Sequence, residues 1–301
     1  MKDIVSFPVL PELTVIDFSY PADVSALVKE RRRHMFGVQD DACIDEYMEA
    51  IEDLFAGRHP DYQAMDTAYH DINHTLQATL CLAELLNNRH QSNVEPRIGP
   101  HDFKRALVAI LFHDIGYLKT LDDTEGTGAK YTHVHEKRSC CLVEEYLNQR
   151  GWPEDDIVFV QHLISATGPR ADVTKIPFRN EIERAMGQAV CTADYVGQMS
   201  DPHYPDKLEV LYREFEESFL YQGLHRNEWP FTSYEALLRG TPGFWDSFVH
   251  YKMNVECAGQ WEHLKHPVSG ENPYFDAIER NLSIIDRRID QLHRRPRAAS
   301  G

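Results

Sequence analysis

Apolar residues fall at three- and four-residue intervals along almost the whole chain, the period of an amphipathic helix. Over 42–56 the stripe is Cys43, Tyr47, Ile51, Leu54 and Phe55, and a similar one runs over 22–36. A longer helix is expected over 66–89, opened by Asp66 as its N-cap. A strongly apolar helix is expected from Asp102 to Tyr117, ending near Gly116. Residues 118–132, rich in Gly, Thr and Asp, read as a loop. Further helices are expected at about 134–149, 154–166, 180–200, 205–222 and 274–293. Pro153 suits the first turn of its helix and Gly151 the end of the one before. Residues 223–272 hold several Gly and Pro and predict one short and one longer helix with irregular connections. No segment alternates with period two between hairpin turns, so no sheet is expected. The pattern predicts one all-α domain over 1–301, closed by a flexible basic tail at 294–301.

Several polar residues interrupt these apolar stripes. Phe103, Leu107, Ile110 and Leu111 define one stripe, and Asp114 continues it with His113 alongside. A carboxylate on a buried face is costly unless it is paired or binds a metal. Asp194 repeats the anomaly, four residues after Val190 on the buried side of helix 180–200. His70 and His74 are four residues apart and are expected one turn apart on one helix face. His162 lies among Ile157, Val158, Phe159 and Leu163, and His135 opens the helix after the loop, with His133 as its competitor. Taken singly, each has a bland explanation as a core residue with satisfied hydrogen bonds. Taken together, they put nitrogen and oxygen donors on five inward faces, which a shared metal centre would neutralise at once. Such donors suit Zn, Fe, Mn, Ni or Co, and the absence of a cysteine pair argues against a Cys-rich structural zinc site.

Composition narrows the chemistry. The chain has 301 residues with 31 Lys plus Arg, 48 Asp plus Glu and a net charge of −17. That balance disfavours binding a nucleic-acid polymer by bulk charge. A phosphorylated substrate would therefore need a local source of positive charge. The longest apolar run, Ala106 to Phe112, is far short of the ~18 residues of a membrane span. With six scattered cysteines, no CxxC and no apolar leader, the expectation is a reduced, cytoplasmic protein with no membrane partner. Lys29 and Arg31 to Arg33 read as a solvated helix face.

The ordered set His74, His113–Asp114, His135, His162 and Asp194 resembles the HD-domain metal-dependent phosphohydrolase superfamily. LFHDIGY looks like its signature pair, HEKRS like its next histidine and TAD like its final aspartate. YHDINH, Tyr69 to His74, is similar to an element of cyclic-nucleotide phosphodiesterases, with Asp71 where that element has Asn. The resemblance covers residues 66–200 and implies an HD/PDEase-like helical bundle around a metal site, with residues 201–293 shaping the pocket. It implies that His74, His113, Asp114 and Asp194 hold one metal. Asp114 would bridge to a second, possible Mg site, held by His135 and His162, and His70 would be the general acid. His162 is followed by LISATGP instead of Gly-Tyr-Pro, so a cyclic di-GMP substrate is not supported.

The implied activity is hydrolysis of a nucleotide phosphodiester by a metal-activated water, with protonation of the leaving group by His70. The alternatives are a nucleotide phosphomonoesterase, a non-catalytic metal or nucleotide sensor, and a di-iron oxygenase. Gln198 begins the segment after the last ligand and is a candidate substrate contact. Phe244, Trp245, Tyr251 and Trp261 are candidates for stacking on a base, and Gln260 for reading its edge.

Overall fold

A computed structural model describes residues 16, 18, 20–38, 41–266 and 269–294. The expected tail beyond Arg294 and the N-terminal segment lie outside the described residues. Ten α-helices make up the described chain: α1 Pro21–Phe36, α2 Ala42–Phe55, α3 Ile72–Gln91, α4 Pro100–Phe112, α5 His135–Gln149, α6 Glu154–Ser165, α7 Glu181–Ser200, α8 Tyr204–Tyr221, α9 Tyr234–Gly243 and α10 Pro273–Arg294. An isolated bridge between Tyr62 and Thr120 is the only β pairing among the described residues. The fold class is all-α, as the periodicity predicts. Residues 223–272 hold α9 and then two π-helical turns, Phe244–Val249 and Lys252–Glu256, before the 3-10 turn Gln260–Leu264.

Two boundaries differ from the sequence reading by more than two residues. α3 begins at Ile72, because the Asp71 side chain accepts the backbone N–H of His74 and caps the helix there. Asp66 serves elsewhere, accepting from the Gly128 N–H and pairing with Lys119. The helix expected to run to Tyr117 stops at Phe112, and a 3-10 turn covers Ile115–Tyr117. That break is fixed from α5. Ser139 Oγ receives the Gly116 N–H at 2.8 Å and donates to the His113 carbonyl, while Arg138 donates to the carbonyls of Gly116 and Leu118. A Cβ on Gly116 would lie 1.9 Å from the His135 carbonyl oxygen, so only glycine admits this approach of turn and helix.

α3 is buried on every side from His74 to Asn87 and forms the axis of the bundle. It packs most extensively against α7. Small residues set their spacing, since a Cβ on Gly197 would sit 3.0 Å from Ala78 Cα. His74 lies one turn before Ala78 and Asp194 three residues before Gly197, so the close crossing brings those two side chains together. The C-terminal end of α7 is held by Asn281 of α10, which donates to the carbonyls of Met199 and Asp201.

On α1, Arg31 and Arg32 are buried and not solvated, which corrects the sequence expectation. Arg31 pairs with Glu84 of α3 and Arg32 with Asp41. Burial pushes the Glu84 carboxyl up to about 7 against the pull of Arg31.

Candidate metal centre and its cavity

Four side chains converge where α3, α4 and α7 meet. The Nε2 atoms of His74 and His113 are 3.3 Å apart. Asp114 Oδ2 lies 3.2 and 3.1 Å from them, and Asp194 Oδ1 3.2 and 3.5 Å. All four residues are buried. Ligands ~2.0–2.2 Å from a common ion lie roughly 3.0–3.5 Å from one another along the edges of its coordination shell. The spacings among His74, His113 and Asp114, and of Asp194 from the two imidazoles, are those of such a shell.

The hydrogen bonds behind the ring nitrogens support the same reading. A carbonyl oxygen only accepts, so His113 Nδ1, 2.7 Å from the Ile110 carbonyl, carries the proton and leaves the Nε2 lone pair facing inward. His135 is oriented in the same way, with Nδ1 2.8 Å from the Thr132 carbonyl and Nε2 3.4 Å from Asp114 Oδ1. Asp114 Oδ2 is buried without a hydrogen-bond partner. Lone pairs turned toward a carboxylate oxygen repel unless a proton or a metal cation lies between them. The donor set therefore fits a divalent transition metal, and His135 extends it on the far oxygen of Asp114.

Without a cation, the carboxylates draw protons onto the imidazoles. Burial alone would lower the pKa of His74, but its bonds to Asp114 and Asp194 outweigh that and raise it to about 9. Burial likewise opposes ionisation of Asp194, yet His113 and His74 hold it down to about 2.

His70 does not share a helix with His74. It reaches the site from the segment before α3, where the Thr67 hydroxyl donates to its carbonyl. Its ring stacks on Tyr117 at 4.6 Å between centroids and lies 5.7 Å from the ring of His74. Nδ1 is 2.6 Å from Glu214 Oε2 of α8. Glu214 is buried and also accepts the Tyr69 N–H at 2.6 Å. The sequence reading missed Glu214, whose only signal was a carboxylate three residues after Leu211 on the buried face of its helix.

Among the described residues, no contact joins His162 to this cluster. Its Nδ1 is 2.7 Å from Glu183 Oε1, and its ring meets Phe178. Glu183 is fully buried and also receives Arg179. The carboxylate that satisfies His162 thus comes from α7 and accounts for its place on an apolar helix. His133 stands apart beside Tyr221, while His135 stacks on Tyr117 next to Asp114.

A family model, Npun_R2479-like, matches residues 45–255. The chain belongs to the Npun_R2479-like family. No curated protein matches it in sequence. Two solved structures share the fold of this Npun_R2479-like chain. One is the phosphodiesterase domain of the RhoPDE fusion protein from the choanoflagellate Salpingoeca rosetta, with a TM-score of 0.59, 15% identity, and 97% of this chain and 98% of that one covered. The other is the phosphodiesterase domain of the Salpingoeca rosetta rhodopsin phosphodiesterase, with a TM-score of 0.59, 16% identity, and coverage of 94% and 92%. The helical fold is therefore that of phosphodiesterase domains.

The Npun_R2479-like chain opens its donor cluster into a cavity of about 320 Å³. His70, His74, Asp114, His135, Asp194 and Gln198 lie on its wall. Trp245, Gln260 and Trp261, expected as substrate contacts, do not line it. Trp245 and Trp261 are buried in a cluster with His250 and Phe275, and Gln260 is buried beside them in sequence. Phe244, next to Trp245 and also expected as a stacking residue, does line the cavity. No helix among the described residues is long and apolar enough to cross a membrane.

Proposed function

We propose that this protein is a metal-dependent hydrolase of phosphoric diesters, built on the HD-type ligand order. The observation that carries the reading is the convergence of His74, His113 and Asp114, with donor atoms 3.1–3.3 Å apart, and of Asp194, 3.2 and 3.5 Å from the two imidazoles, with His74, Asp114 and Asp194 on the wall of a cavity. These residues would hold one Zn, Fe, Mn, Ni or Co ion, and His135 with the second oxygen of Asp114 would offer part of a neighbouring site. When bound, a divalent cation supplies Lewis acidity toward a phosphoryl oxygen and lowers the pKa of water toward neutrality.

The chain's own residues complete the chemistry. His70 faces the cavity beside the ligand cluster, with Glu214 on Nδ1. A carboxylate there fixes the ring with Nδ1 toward Glu214, so Nε2 is the atom that would pass a proton to the leaving oxygen. Tyr117, stacked on both His70 and His135, holds the two rings in position. The fold shared with phosphodiesterase domains supports a diester over a monoester. The test is turnover of bis-p-nitrophenyl phosphate against p-nitrophenyl phosphate by protein loaded in turn with Zn, Mn, Fe, Ni and Co. Preferential turnover of the diester, absent in Asp114→Ala, supports the reading. Turnover of the monoester alone would replace it with a phosphomonoesterase, and binding of metal with no turnover of either ester would leave a sensor.

A further inference from the structure

Resting on the hydrolase reading above, we propose that the substrate is a singly charged phosphodiester carrying a hydrocarbon chain, and not a nucleotide. Away from the donor cluster the wall is Leu208, Leu211 and Phe215 of α8 with Phe231, Leu237 and Phe244. Among the described residues that line the cavity there is no lysine or arginine. The charges of Asp114 and Asp194 balance one divalent cation, so a second or third phosphate would find no cationic partner on the wall.

Three threonines and Gln198 on the wall are turned to the protein itself. Thr132, Thr167 and Thr241 donate their hydroxyls to the carbonyls of Ala129, Ile164 and Leu237, which leaves them bonded within their own turns. Gln198 accepts from the Tyr69 hydroxyl at 2.9 Å and donates to the Asp194 carbonyl at 3.2 Å. Its amide is thus engaged at both ends, whereas reading the edge of a base needs free donors and acceptors. A cavity of this size and lining matches an apolar ligand body fixed by a few polar groups at one end. Phe244 is both on the wall and 40% exposed, and its ring stacks on Phe248, so the apolar lining continues outward to the surface.

The test uses the full chain, metal-loaded, with two series of probes. The first is n-alkyl p-nitrophenyl phosphates of increasing chain length, read as kcat/KM. The second is methyl n-alkylphosphonates, monoanions that resist hydrolysis, read as affinity by calorimetry. Both should rise about fourfold per methylene while the chain is being fully buried, and cyclic AMP and cyclic GMP should bind more weakly than the longer phosphonates. Leu237→Asn should flatten both slopes. A flat series, or a cyclic nucleotide that outcompetes the longest alkyl probe, overturns the proposal. If the phosphonate affinities climb but no ester is hydrolysed, the ligand class stands and the hydrolase reading falls. If bis-p-nitrophenyl phosphate is hydrolysed but both series are flat, the hydrolase stands and the ligand class falls.

Discussion

Glu214 Oε2 lies 2.6 Å from His70 Nδ1, joining a residue of the cavity wall to a buried carboxylate 144 positions along the chain. A buried carboxylate behind an imidazole fixes its orientation. His70→Ala should therefore lower kcat by about 10²–10⁴ on a diester with a poor leaving group, and much less with p-nitrophenolate leaving. Glu214→Gln should give a smaller loss in kcat on the same ester. Equal losses on both leaving groups would remove His70 from the role of acid.

The ligand carboxylates should matter in proportion to their contacts. Asp114 approaches three imidazoles and Asp194 two. Asp114→Ala should abolish retention of metal through gel filtration, and Asp194→Ala should weaken it by a factor of at least 10. Metal content by atomic emission decides this. Full stoichiometry in both variants would contradict the assigned ligand set.

Metal binding should depend on pH in a defined direction. In the metal-free protein the His74 pKa stands near 9, above its usual 6.5, so its proton stabilises that form below pH 6.5. This stabilisation is lost as pH rises through 9. The metal binds the neutral ring and must displace the proton. The rise in Tm on adding Zn should accordingly grow between pH 6.5 and 9, as read by calorimetry at fixed free metal. A shift that is constant or shrinks over that window would be inconsistent with His74 as a ligand.

The crossing of α3 and α7 offers a test away from the ligands. A methyl at Gly197 would press on the Ala78 backbone at 3.0 Å. Gly197→Ala should cost about 1–3 kcal/mol in chemical denaturation, with a loss of metal affinity as His74 and Asp194 part. A loss of stability with unchanged affinity would show that this spacing does not set the site.

Much of the centre was legible because a polar residue on an apolar stripe is costly and needs a reason. That signal picked out His74, His113, Asp114, His135 and Asp194, which the structure brings to one point. The same signal picked out His162, which no contact among the described residues joins to them and whose Nδ1 lies against Glu183. Glu214 and Glu183 went unnoticed because which helices face each other is not encoded in local periodicity. His70 was placed on a helix because Asp66 and Asp71 are both competent N-caps, and only the tertiary bonds of Asp66 to Gly128 and Lys119 decide between them. Trp245 and Trp261 illustrate a further limit: large aromatics next to a site serve the core as readily as the ligand.

Anomalous scattering from crystals equilibrated with Zn or Mn tests the central claim most directly. One ion is predicted between His74 Nε2, His113 Nε2, Asp114 Oδ2 and Asp194 Oδ1, at ~2.0–2.2 Å from each. An anomalous peak elsewhere, with that point empty and the four side chains paired only with one another, would contradict it.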